Sequence, residues 1–236
     1  MMTKIKGAKK WLPPIFITLI TILSLSLSPL LAQAAPILDF GIIAPTSGTI
    51  SYAGGTTPLV GSGISVDNVV GLGTPLIAGI AQACVDCFLN FTTGNFISSD
   101  PESLTFGTGG IISLTGAIPS LSIAPGTTLL DGFFSANPIV MSLGEFKLAG
   151  GGFADTKNQT LTNSFGLPNG SFTGSFHVLF EAASGIPPSG FASTGVVSGG
   201  VANSPVPGTP EPGTLLLIGS GLVGIGVGAR RRNRRK

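Results

Sequence analysis

Charge is scarce in this sequence: 9% of its 236 residues are charged, against 43% hydrophobic. Histidine, tryptophan and tyrosine each occur once, as His177, Trp11 and Tyr52, and cysteine twice, as Cys84 and Cys87. These shortages narrow the chemistry. A Ser-His hydrolase would have to use His177, and no G-x-S-x-G elbow accompanies it. The alternation around His177 puts it on a polar strand face with Ser175 and Glu181, a solvated position, so no catalytic residue is assigned. Two cysteines with no further paired ligands make no tetrahedral metal site, and no metal or cofactor is expected. The D-x-[DN]-x-[DN]-G calcium loop is missing. Asp100 and Glu102 are the nearest acidic pair, and only the fold could gather carboxylates for Ca²⁺ or for glycosidic chemistry.

Basic residues are almost missing from the middle of the chain. Between Pro36 and Pro205 only Lys147 and Lys157 occur, and nine carboxylates against two lysines leave this body at −7. A phosphate-binding surface needs clustered Lys and Arg, so nucleic acid is excluded as a partner. Low charge combined with ample Ile, Val, Leu and Phe favours a folded β-rich body over a disordered one.

Long apolar runs occur only at the two ends. The first, within MMTKIKGAKKWLPPIFITLITILSLSLSPLLAQAA, follows four lysines and precedes small residues at Ala32 and Ala34, the layout of a secretory signal peptide over residues 1–34. Cleavage after Ala34 satisfies the A-x-A rule, whereas cleavage after Ala35 would place Gln33 in the small pocket. The second run, residues 214–229, would be about 24 Å long as a helix at ~1.5 Å per residue, marginal against a hydrocarbon core of ~30 Å. Arg230, Arg231, Arg232, Arg234, Arg235 and Lys236 follow it and would halt translocation on the cytoplasmic side. The G-x-G-x-x-G match at Gly219 to Gly224 lies inside this run, away from any βαβ unit, and reads as helix-packing glycines.

Pro210-Glu211-Pro212, the short Leu/Gly-rich run and the arginine cluster together resemble the PEP-CTERM sorting signal. The resemblance covers about residues 205–236. It implies export, a hold in the inner membrane, and recognition of Pro210, Glu211 and Pro212 by an exosortase-type membrane transpeptidase that delivers the body to the cell surface. It also implies an association with exopolysaccharide or biofilm matrix. Gly213 stands where the family often has Ser.

Residues 35–197 read as eight or nine short strands broken by Gly, Pro, Asn and Asp, an all-β body of antiparallel β-sandwich or jelly-roll type, with a closed barrel or solenoid as the alternative. The clearest strand, FTGSFHVLFEA, puts Phe172, Phe176, Val178 and Phe180 on one face. GGIISLTGAI is a second, and others are expected at 65–70, 87–91, 104–106, 128–134, 139–148 and 194–201. Helical periodicity is faint and confined to 75–83. Cys84 and Cys87 read as a local disulfide pinning a loop before the 87–91 strand, since an exported body meets an oxidising space. Residues 198–209 read as a Gly/Pro linker. The body is expected to be a structural or adhesive matrix component. A carbohydrate-binding module, needing exposed Phe or Tyr52, and a secreted hydrolase are the alternatives.

Overall fold

A computed structural model describes residues 35–143, 146–182 and 189–206. The expected signal peptide with Ala32 and Ala34, the Pro210-Glu211-Pro212 tripeptide, the apolar run 214–229 and the terminal basic cluster lie outside the described residues. No helix among the described residues is long and apolar enough to cross a membrane.

The body is antiparallel and all-β. Its strands are β1 (Ile37–Ile42), β2 (Thr49–Gly54), β3 (Pro58–Leu72), β4 (Gln82–Asp100), β5 (Ser103–Phe106), β6 (Gly109–Ile118), β7 (Ile123–Phe134), β8 (Ile139–Leu143), β9 (Phe146–Lys157), β10 (Ser171–Ala182) and β11 (Ser189–Pro205). They form one sheet whose ends pair again, β1 with β11, β3 with β4 and β9 with β8. The ladder therefore runs all the way round the core. At one end the ring reads β1, β3, β4, β6, β7, β9, β10, β11. At the other, β2 replaces β1, and β5 with β8 replaces β6 with β7. Ile37 pairs with Leu72, and Pro205 with Phe172, so β1 begins and β11 ends on the same side of the body, termed the proximal end.

The alternation that makes these segments strands also builds the interior. Phe91, Phe134 and Phe176 pack in mutual contact, with ring centroids 5.0 to 6.2 Å apart. Nearer the distal end, Tyr52 meets Phe96, Phe106 and Phe191. Aromatic pairs at these distances add to what their burial contributes.

Three expectations are corrected. Residues 198–205, assigned to a linker, are the last part of β11, where Val201 and Asn203 face the core and Gly199 and Gly200 pair with β10 and β1. A methyl group at Gly199 would collide with the His177 carbonyl, so glycine there serves close strand approach and not flexibility. The single strand expected at 139–148 is two, β8 and β9, paired as a hairpin with Leu143 opposite Phe146. Residues 75–83 are not a helix; 75–81 form a loop leading into β4, which begins at Gln82. A helix occurs instead at Gln159–Ser164 (α1), capped by Asn158, whose side chain accepts from the Leu161 N–H, and held by buried Leu161 and Thr162.

Candidate functional site

Register aligns outward side chains in rows across neighbouring strands. One row runs from Asn90 through Ser113, Asp131 and Thr156 to Ser171. The next carries Phe133, Ala154 and Thr173, with Ile111 beside them. Between these rows lies a shallow groove of about 450 Å³ lined by Ile111, Asp131, Gly132, Phe133, Ala154 and Thr156. Phe133 is 55% exposed and Ile111 61%. Gly132 keeps the floor low, because a methyl group there would overlap the Ala154 carbonyl and the Asp155 side chain. A flat aromatic face next to a carboxylate and hydroxyls can stack on the C–H face of a polyol while accepting its hydroxyl protons. The sequence held this signal in period two: Phe133 shares a face with charged Asp131, while Phe134 turns inward.

A second polar cluster is sealed inside. Lys157 is ion-paired with Asp155, and neither side chain is exposed. Asn203 Nδ2 donates to Asp155 Oδ1 at 2.9 Å, and Asn203 Oδ1 has no partner among the described residues. Lys157 Nζ also lies 5.0 Å from the Phe172 ring centre and 5.8 Å from that of Phe40. Burial pulls the Lys157 ammonium down to about 8, against the opposing pull of Asp155. Burial likewise raises Asp155, with Lys157 and Asn203 acting the other way. Sealed from solvent, these groups meet no substrate; they organise the core. Lys147 is buried too, at 2% exposure. Both lysines of the body therefore point inward, and the surface of the described residues presents carboxylates and no Lys or Arg.

The remaining sequence-derived positions are dispersed. His177 is exposed on the outer face between Gly150 and Gly200, which contribute no side chain to orient it. Asp100 and Glu102 sit at the β4–β5 turn, beside a distal depression lined by Pro101, Ser103, Met141 and Ser142. No group of three or more His, Cys, Asp or Glu among the described residues is placed to hold a metal ion. Cys84 and Cys87 are disulfide-bonded with Cα atoms 5.7 Å apart, and they sit within β4, not in a loop before it. The bridge spans a bulge where Asp86 has φ of 49° and the register to β6 shifts between Val85 and Phe88. Tyr52 is 2% exposed and its hydroxyl donates to the Gly55 carbonyl at 2.6 Å, so it offers no sugar platform.

The fold and surface thus define a closed all-β body with an aromatic groove on the outer face of its sheet. Residues 208–232 match the family model of the PEP-CTERM protein-sorting motif. The chain carries this motif at its C-terminal side, which marks it as an exported protein recognised by an exosortase-type membrane enzyme and passed through membrane-associated processing to the surface. No curated protein and no solved structure matches the chain.

Proposed function

We infer that the body is a non-enzymatic structural or adhesive component of an extracellular matrix. In this reading residues 214–229 hold it in the inner membrane until Pro210-Glu211-Pro212 is processed. The observation that carries the reading is the pairing of a sorting motif with a body whose chain leaves from one end and whose outer face presents the polar row Asn90, Ser113, Asp131, Thr156 and Ser171 beside exposed Phe133 and Ile111. Such a face contacts neighbours laterally while the tail is held. Intact mass of the mature protein from its native cells tests the sorting part: a mass lacking everything beyond about residue 212 is expected. Pro210→Ala/Glu211→Ala should leave the tail attached and the protein in the membrane fraction, and release of that variant would sink the reading.

Binding of a neutral glycan is a second reading, favoured by Phe133 beside Asp131 and Thr156. An anionic glycan would meet only carboxylates on this surface. On a glycan array, Phe133→Ala should cut binding by about tenfold or more, the scale expected when an aromatic stacking partner and its buried area are lost. Undiminished binding by Phe133→Ala would remove the groove from consideration.

A further inference from the structure

The proximal end carries an apolar surface that the lateral face does not explain. Leu72 (46%) at the end of β3 and Leu76 (53%) and Ile80 (60%) in the loop between β3 and β4 are exposed, with Val85 (45%) on β4 and Val206 (47%) where β11 gives out. The loop is held in shape by hydrogen bonds within it and to Phe165. Leu76 N–H donates to the Phe165 carbonyl (3.1 Å), Gly79 N–H to the Gly71 carbonyl (2.7 Å) and Thr74 Oγ1 to the Leu76 carbonyl (2.9 Å). Ile77 lies at φ of 52°, a conformation disfavoured for a β-branched residue. The backbone thus fixes Leu76 and Ile80 outward. From Gly71 to Val85 the chain has no charged residue. A charge-free apolar loop of this kind marks a contact surface.

The tether says what lies opposite. Between Val206 and the apolar run at 214–229 stand only residues 207–213. Fully extended at ~3.5 Å per residue they reach at most about 25 Å. The 15 residues of β3, at ~3.3 Å each, run about 50 Å. When the run is in a bilayer, the proximal end is the part of the body kept within reach of it, and the distal Asp100 and Glu102 point away.

We propose that Leu72, Leu76 and Ile80 form a bilayer-contacting rim that seats the body end-on against phospholipid until processing cuts the tether. The proposal rests on the reading of 214–229 as a membrane segment. Apolar side chains on such a loop enter the headgroup–acyl boundary, and with no charged residue from 71 to 85 no charge has to be desolvated on entry.

The test uses the full chain with Trp11→Phe, inserted into zwitterionic phospholipid vesicles with or without brominated acyl chains. Tryptophan is placed singly by Leu76→Trp, Ile80→Trp or, as a distal reference, Ile97→Trp, where Ile97 is 55% exposed. Brominated lipid should dim the two proximal variants about threefold and leave Ile97→Trp unchanged, as expected for side chains at the acyl boundary. Equal quenching at all three sites, in chains that float with the vesicles, overturns the rim. So does a concentration-dependent blue shift at 76 or 80 without bromine quenching, which would mean that a second copy covers the loop. Failure to float overturns the membrane-segment reading itself, and the rim with it.

Discussion

Lys157 carries an unusual burden for a lysine, since its charge sits inside a ring of β-strands against Asp155 and two phenylalanine faces. Removing one member of such a pair strands the other charge without solvent. Lys157→Met should therefore cost about 3–5 kcal/mol, and Lys157→Met/Asp155→Asn should recover most of it. Denaturant midpoints of the three proteins decide the matter, and a double variant no better than the single would refute the ion pair as the cause. The pH dependence follows from the same burial. Lys157 releases its proton at about 8 when folded and near 10.5 when unfolded, so between these values the unfolded chain binds more protons and stability rises with pH. By pH 9.5 the gain over pH 7 should be on the order of 1–2 kcal/mol and should vanish in Lys157→Met. The buried placement was not read from the sequence, where no strand was expected over 149–157, although Phe153, Asp155 and Lys157 stand at i, i+2 and i+4 of β9. The unpaired Asn203 Oδ1 was not legible, because it depends on which strand lies alongside.

Strand limits were legible where apolar residues alternate without interruption, as in β10 and β6. They were lost where glycine does structural work. Gly61 and Gly71 break the pattern of β3, yet a methyl group at either would overlap the Phe91 or Phe165 ring, so the strand continues through them. The same misreading turned the end of β11 into a linker. That strand contributes the pairs from Leu38–Asn203 to Ile42–Gly199 with β1 and most of the ladder with β10. A chain ended after Val197 should lose its cooperative urea transition, whereas one ended after Val206 should keep it. Equal midpoints for the two would show that the last stretch of β11 is dispensable. The faint helical periodicity at 75–83 came to nothing for the converse reason: Leu76 and Ile80 face water at the proximal rim, and Gly73 and Gly79, both at positive φ, shape a loop.

Taken whole, the chain separates its charges by address. The described surface is anionic, while five arginines and a lysine follow the apolar run, on the far side of the sorting tripeptide. At low ionic strength the processed body should pass unretained over a sulfated-polysaccharide column and be held by an anion exchanger. Full-length chain in detergent should bind the sulfated column through its tail, so one elution profile reports whether the tail is still present. Retention of tail-free body would contradict the inward placement of Lys147 and Lys157. The all-β class was readable from composition and turn spacing. The closure of the ladder stood there only as an alternative, because it rests on pairings such as β1 with β11 between residues far apart in sequence.

The position of β11 has a mechanical meaning. It lies between β10 on one side and β1 and β2 on the other, antiparallel to each, and its end leads directly into the tether. Tension arriving from the membrane, with the outer face gripped by its surroundings, runs along the strand axis. The cross-strand bonds on both flanks are then strained together and not peeled one by one. A cell pulling on this body loads it in shear, the direction in which a β-ladder yields last.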